Sequence, residues 1–259
     1  MFSRDGENPG LLGKERNSDF RDITSELPSG GKHYPKGARV YLRPFYYKET
    51  RDMVSNYEQF KSIVDLYESS KLGIDCEGMS VDELYLGDFL YVTFYRKILT
   101  FGTTKLDIVV ESNEVPYRGV LKISDIEFRE TEAPKFPVRV KLGTDKEEVA
   151  FYPVTVGQYI KYLKEHLNQH PDELDELEMS CRGIGSEVFD RIYSESDKIL
   201  LKKVRQLIDF GIKPITMKMK NLITDKEESV TYCPDSLDTL VFPYSDESEG
   251  LDDNQISFG

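Results

Sequence analysis

Histidine is scarce in this chain, at three residues, and two of the three stand four apart: His166 and His170. On a helix such a pair shares one face and can clip a metal ion between two imidazoles. The protease form of the pattern, H-E-x-x-H, requires glutamate at position 167, where this chain has Leu167. Pro171 follows His170 directly, and a residue before proline is driven out of helical geometry, so the second histidine is expected to leave the helix. A surface pair follows, not a metal site. Cys76, Cys181 and Cys233 are far apart and form no C-x-x-C, which fits free thiols in a reducing compartment. Gly183-Ile184-Gly185 begins a dinucleotide fingerprint that Val188 leaves incomplete, and no G-K-[ST] loop occurs. A nucleophile elbow, G-x-S-x-G, is also missing. Acidic residues cluster at Glu147 and Glu148 and at Glu173, Asp175, Glu176 and Glu178. Acid–base catalysis needs two carboxyls held in different environments of one cleft, whereas these lie on segments that read as solvated. No catalytic, cofactor-binding or metal-ligating set is expected.

Composition narrows the field further. The 259 residues carry a net charge of −13 and a pI near 4.8. Nucleic-acid binding rests on a cationic footprint that displaces counterions, so no nucleic-acid partner is expected. The one basic cluster, Lys198, Lys202, Lys203 and Arg205, reads as a solvated helix face. Sixteen tyrosines and fourteen phenylalanines accompany a complete lack of tryptophan. Tyrosine, apolar in body and polar at the tip, suits wet protein–protein contacts. No apolar run reaches the ~18–20 residues of a membrane helix, and Met1–Gly10 holds no apolar signal region. A soluble protein made in the cytoplasm is expected.

Residues 1–26 are polar and aperiodic and are expected to form a flexible arm. Leu27-Pro28-Ser29-Gly30-Gly31-Lys32-His33-Tyr34-Pro35 is dense in turn formers. Ala38–Arg43 alternates at period two, as a half-buried strand does, and Pro44 closes it. Val54, Tyr57, Phe60, Val64 and Tyr67 recur at spacings of three and four, predicting a helix over Thr50–Ser70. Ser80-Val81-Asp82-Glu83 has the form of a capping box. The run from Asp88 to Phe101 is apolar around most of a helix circumference, with Leu90, Phe94 and Ile98 on one stripe and Phe89, Val92 and Leu99 forming much of the rest. Such a helix is expected in a core or at a subunit contact, with Gly102 ending it. Strands are predicted at Lys105–Val110, Gly119–Ile123, Ile126–Arg129, Pro137–Leu142 and Glu148–Tyr152. Thr155–Gln158 is a second capping box, opening a helix to about Leu167. A short acidic helix follows from Pro171 to Met179. A longer one spans Ser196–Phe210, with Ile199, Leu200, Val204, Leu207 and Ile208 facing inward. A hairpin of Ile215–Leu222 with Ser229–Cys233 closes the fold. The expected class is α+β: an antiparallel β meander with packed helices, between a flexible arm (1–26) and an acidic tail (244–259). A core domain over 27–153 and a helical region with the closing hairpin over 154–243 divide the rest.

Two segments together carry a resemblance. Leu27, Pro28, Ser29, Gly31 and Tyr34 lead into the strand Val40–Phe45, and Asp88, Arg96, Thr100 and Gly102 punctuate the apolar helix that contains Phe94. Over roughly residues 27–160 this pattern resembles the baseplate hub and tail-assembly proteins of T-even-like contractile-tail bacteriophages. Members of that family often carry cysteine pairs near the strands. Here the corresponding stretch, Val110-Glu111-Ser112-Asn113-Glu114, has none, so no metal knuckle is implied. The resemblance implies a virion structural protein with no active site, sited in the tail baseplate. Its partners would be other tail or baseplate proteins in a multi-subunit assembly. A tail-assembly chaperone that leaves the finished particle is the alternative. A hub-associated hydrolase would need convergent carboxylates or a metal, which the sequence does not display.

Overall fold

The computed structural model describes residues 19–31, 33–46, 49, 63–101, 105–112, 115–122, 125–130, 135–167 and 169–232. Among these the chain is α+β, with antiparallel sheets and six α-helices. A three-stranded sheet runs β1 (Arg21–Asp22), β2 (Arg39–Leu42), β3 (Ile74–Glu77). The second sheet has the order β11 (Glu227–Tyr232), β10 (Ile215–Asn221), β5 (Val115–Lys122), β4 (Lys105–Ser112). Two-stranded pairs join β6 (Phe128–Arg129) to β9 (Gly211–Ile212) and β7 (Val138–Leu142) to β8 (Glu147–Phe151). The five strands read from the middle of the sequence exist, but they are shared among three sheets. Only β4 and β5 stay neighbours in the large one, where the closing hairpin completes it through Lys220 opposite Arg118.

The helices are α1 (Ile63–Ser70), α2 (Leu86–Phe101), α3 (Val156–Glu165), α4 (Glu173–Ser180), α5 (Ser186–Ser194) and α6 (Lys198–Ile208). Helix α2 is the axis of the larger hydrophobic cluster. Phe89, Leu90, Val92 and Phe94 are buried on different sides of it, and Ile98 and Leu99 pack against the same cluster. Its apolar circumference is therefore enclosed by the fold. Ile108, Leu121, Met219, Val230 and Tyr232 supply the inner face of the large sheet, and Val156, Tyr159, Ile160 and Leu163 of α3 close another side. A second cluster gathers Leu142, Val149 and Phe151 of the β7–β8 hairpin with Leu177, Phe189, Ile192, Leu201, Val204 and Ile208.

Several boundaries differ from those read in the sequence. The arm does not extend to residue 26: Arg21 and Asp22 pair with Leu42 and Tyr41, and Ile23 is fully buried. A single isoleucine beside a strand partner orders a segment whose composition alone looks unstructured. Residues 1–18 and the tail from 233 lie outside the described residues, as do 50–62 of the predicted Thr50–Ser70 helix. The Ser80–Glu83 capping box forms, but it closes one 3-10 turn over Val81–Glu83, and α2 begins three residues later. In α6 the inner face is Leu201, Val204 and Ile208, while Ile199, expected inside, is 79% exposed. Asp197 caps that helix, and position 199 lies half a turn out of phase with Ile208 on the buried stripe. Helix α5 was not expected, being short and bearing only Phe189 and Ile192 as buried residues. The division at residues 153/154 also moves. Helix α3 and the closing hairpin belong to the larger cluster, and the smaller one is built from segments on both sides of α3, β7–β8 before it and α4–α6 after it.

Candidate functional site

The motif residues converge on α2. Asp88 stands in its first turn and is fully buried. Its Oδ1 accepts the Ser29 backbone N–H at 2.9 Å, and its Oδ2 accepts the Ser29 hydroxyl at 2.5 Å and the Tyr34 hydroxyl at 2.6 Å. The Tyr34 oxygen in turn accepts the Tyr85 N–H at 3.0 Å, and the two rings stack with centroids 4.9 Å apart. Gly31 donates its N–H to Ser29 Oγ at 3.1 Å from a φ of +67°. A Cβ there would stand 2.7 Å from Thr24 Cγ2, so glycine meets both the backbone and the space requirement. Leu27 is buried in the larger cluster and Pro28 is buried beside it. Burial pushes the Asp88 carboxyl up to about 6, against the opposing hydrogen bonds from Ser29 and Tyr34. Burial, and then the neighbouring Asp88, hold the Tyr34 phenol well above its ordinary range.

Arg96 lies eight residues further along α2 and its side chain is 1% exposed. Eight residues are close to two helical turns, so it faces the same N-terminal segment as Asp88. Its Nε donates to the Arg43 carbonyl at 3.0 Å and one Nη to Glu49 at 2.9 Å. The guanidinium lies over the Phe45 ring at 3.8 Å, and a Cβ on Gly73 would meet its Cζ at 2.0 Å. Glu49 also receives both Nη atoms of Arg43, at 2.6 and 2.8 Å. Thr100 completes the arrangement: its hydroxyl accepts the Phe45 N–H at 2.8 Å and donates to the Arg96 carbonyl at 2.7 Å. The Nη1 of Arg96 is buried without a hydrogen-bond partner. Burial lowers the Arg96 guanidinium to about 10 despite Glu49. Burial raises the Glu49 carboxyl, and the Arg43 hydrogen bond, the Tyr46 N–H and Arg96 outweigh it, so Glu49 stays below its usual range.

Six of the nine residues singled out in the sequence, Leu27, Pro28, Ser29, Gly31, Tyr34 and Asp88, thus meet at one end of α2. Arg96 anchors a second cluster near its other end. Phe94 is 2% exposed within the larger core. Gly102 lies outside the described residues. Sequence reading missed Arg43, Phe45, Glu49, Gly73 and Tyr85. A charged residue inside an apolar helix does signal that a partner carboxylate exists. With 47 acidic residues to choose from, it does not say which.

The other candidates for chemistry are held apart or paired. Helix α3 ends at Glu165, so His166 caps it and His170 lies beyond, its Nδ1 at 2.8 Å from the Tyr159 hydroxyl. Glu173 and Glu176 bind Arg205, Asp175 accepts from Tyr162, Glu147 pairs with Arg191 and Glu148 with Arg139. Burial pushes the Cys181 thiol up to about 12, which suppresses its thiolate. Among the described residues no group of three His, Cys, Asp or Glu is placed to hold a metal ion. Nor is any helix among them long and apolar enough to cross a membrane. A cleft of about 640 Å³ opens where the two hydrophobic clusters meet, between α2, α4 and the chain at 208–214. Compared with family models, curated proteins and solved structures, the chain has no match.

Proposed function

We propose that this chain is a structural protein of a contractile phage tail, standing in or near the baseplate hub and acting by docking to other tail subunits. The observation that supports this reading is the use made of the motif residues. Ser29, Gly31, Tyr34, Asp88, Arg96 and Thr100 are engaged with one another or with the backbone, at distances of 2.5–3.1 Å. They tie Ser29, Gly31, Tyr34, Arg43, Phe45 and Glu49 to one another and to α2, and none of them is presented as a free acid, base or nucleophile. A pattern of that kind serves architecture, which is what the resemblance implies. The net charge of −13 favours protein neighbours over nucleic acid.

Quantitative mass spectrometry of purified particles tests it. The chain should appear in mature virions at a fixed ratio to other baseplate proteins. Its absence from mature particles, with capture on hub intermediates, would identify a departing assembly chaperone instead. The isolated chain should also lack hydrolase activity, and an activity lost on changing His166 or His170 would count against the structural role.

A further inference from the structure

Strand β4 ends the large sheet, and among the described residues no strand pairs with its outer edge. It runs for eight residues without a proline, and its register with β5 is unbroken from Lys105 opposite Lys122 to Ser112 opposite Val115, so no bulge bends it away. A long, regular edge without such protection is a template for another strand. The backbone shows which residues would bond that strand. Leu222, just past β10, donates its N–H to the Pro116 carbonyl, so position 116 of β5 turns its backbone groups toward β10. Alternate residues of a strand turn theirs to opposite sides, so Val115, Tyr117, Gly119 and Leu121 serve β4. Their register partners are the even-numbered residues of β4. Lys105, Asp107, Val109 and Glu111 therefore turn backbone N–H and C=O to the outer edge.

A second copy of β4 can pair there antiparallel only where odd-numbered positions stand opposite odd-numbered ones, and the charges of the strand choose among those registers. With Ile108 on the two-fold axis, Lys105 of each copy stands opposite Glu111 of the other, and Asp107 opposite Val109. Sliding the pair by two residues one way sets Asp107 opposite Asp107. Sliding it the other way sets Asp107 opposite Glu111, and like charges directly opposite oppose pairing. The strand is thus complementary to itself in the Ile108-centred register, as an isologous interface requires. Val109, 52% exposed, would meet its counterpart diagonally across the axis, with Val120, 48% exposed, one strand behind. The opposite edge of the sheet, β11, carries Glu227 and Glu228 and no cation, so a second copy offers it no counter-charge. We propose that the chain forms a two-fold dimer by antiparallel pairing of β4 with β4 of a second copy, centred on Ile108. The two four-stranded sheets then become one of eight strands. This inference stands on the edge and its charges, and is independent of a role in a phage tail.

Sedimentation equilibrium of the full-length chain should show a dimer that dissociates on dilution. Lys105→Glu and Glu111→Lys each turn both attractive pairs of the dimer into repulsive ones, and each should raise its dissociation constant about tenfold or more. An equimolar mixture of the two variants should recover the dimer, because each supplies the charge the other lacks. The double variant should dimerise as the parent does. Positions 105 and 111 are six residues apart on one strand, roughly 20 Å, so recovery cannot arise within one chain, and a misfolded variant would not be recovered by mixing. A monomer at millimolar concentration would overturn the proposal, as would a dimer indifferent to the two charges. Masses that grow past two copies would mark an open head-to-tail contact and overturn it equally. In hydrogen exchange the amides of Asp107 and Val109 should gain protection as the dimer forms. Full protection in the dilute monomer would place another segment of the chain on this edge and refute the pairing.

Discussion

Asp88 is a carboxylate inside a core, and its energetics follow from what surrounds it. Three donors from Ser29 and Tyr34 favour its charged form, while burial disfavours that form more strongly and raises the group to about 6. A folded-state value above the unfolded one means that the folded chain holds the extra proton. The resulting stabilisation is complete below pH ~4 and is lost as pH rises through 6, by roughly 3 kcal/mol in all. Asp88→Asn cannot ionise, so its stability should lack this decline. Denaturant titrations at pH 4 and pH 7 check it, and parallel pH dependences in the two proteins would show that Asp88 does not titrate in this range. The second residue-scale prediction concerns Gly73, whose missing side chain leaves room for the Arg96 guanidinium 2.0 Å from where a Cβ would stand. Gly73→Ala should destabilise by about 1–3 kcal/mol through overpacking, and by much less once Arg96→Ala has vacated the space. A double-mutant cycle reads that coupling, and additive effects would contradict the contact. At this scale neither spacing nor composition sets Ser29 and Tyr34 beside Asp88, more than fifty residues away in the chain. Glu49 and Gly73 were not legible at all, because a buried arginine does not name its partner from sequence.

At the scale of elements, periodicity carried most of the information that could be read. The apolar circumference of α2 marks an enclosed helix, and Phe89, Leu90, Val92 and Phe94 are all buried. The capping box at Thr155 and Gln158 forms as expected, with Thr155 Oγ1 accepting the Gln158 N–H and Gln158 Oε1 accepting the Thr155 N–H. The closing hairpin forms, with Ile215–Asn221 antiparallel to Glu227–Tyr232 and Ile215 opposite Tyr232. What failed were local signals with tertiary outcomes. The box at Ser80 produces one 3-10 turn because Leu84 and Tyr85 turn away toward Val156 and Thr155, as the Val156 N–H bond to the Leu84 carbonyl and the bridge to Thr155 show. Ile199 stands nine residues, about two and a half turns, before Ile208 and so on the opposite side of α6 from the buried stripe. Phe94, placed in the core with Leu90 beside it, should lose about 3–5 kcal/mol on truncation to alanine. Urea unfolding measures this directly. An unchanged midpoint combined with loss of assembly would move this face of α2 to a subunit contact.

On the scale of the whole molecule, the chain builds two hydrophobic clusters from segments that alternate along the sequence. The larger core is built from residues before β6 together with α3 and the β9–β11 strands, and the smaller one from β7, β8, α4, α5 and α6. Sequence could not show this alternation, because the composition does not shift at 153/154 and sheet membership depends on which distant strand arrives. Lys220 opposite Arg118 joins segments a hundred residues apart. The two clusters are stitched where the chain crosses between them. Gln158 of α3 donates to the Met179 carbonyl of α4 at 2.8 Å, and the Tyr162 hydroxyl of α3 donates to Asp175 of α4 at 2.6 Å. The two clusters share no buried side chain. The smaller cluster should therefore open as a unit at lower free energy than the sheet around α2. Phe189, buried between α5 and its neighbours, belongs to the smaller cluster alone. Phe189→Ala should cost about 3–5 kcal/mol within that unit. Native-state hydrogen exchange should then show lost protection in β7, β8 and α4–α6, with β4, β5, β10 and β11 retaining theirs. If protection falls equally in both regions, the two clusters unfold as one cooperative body, coupled through the α3–α4 contacts.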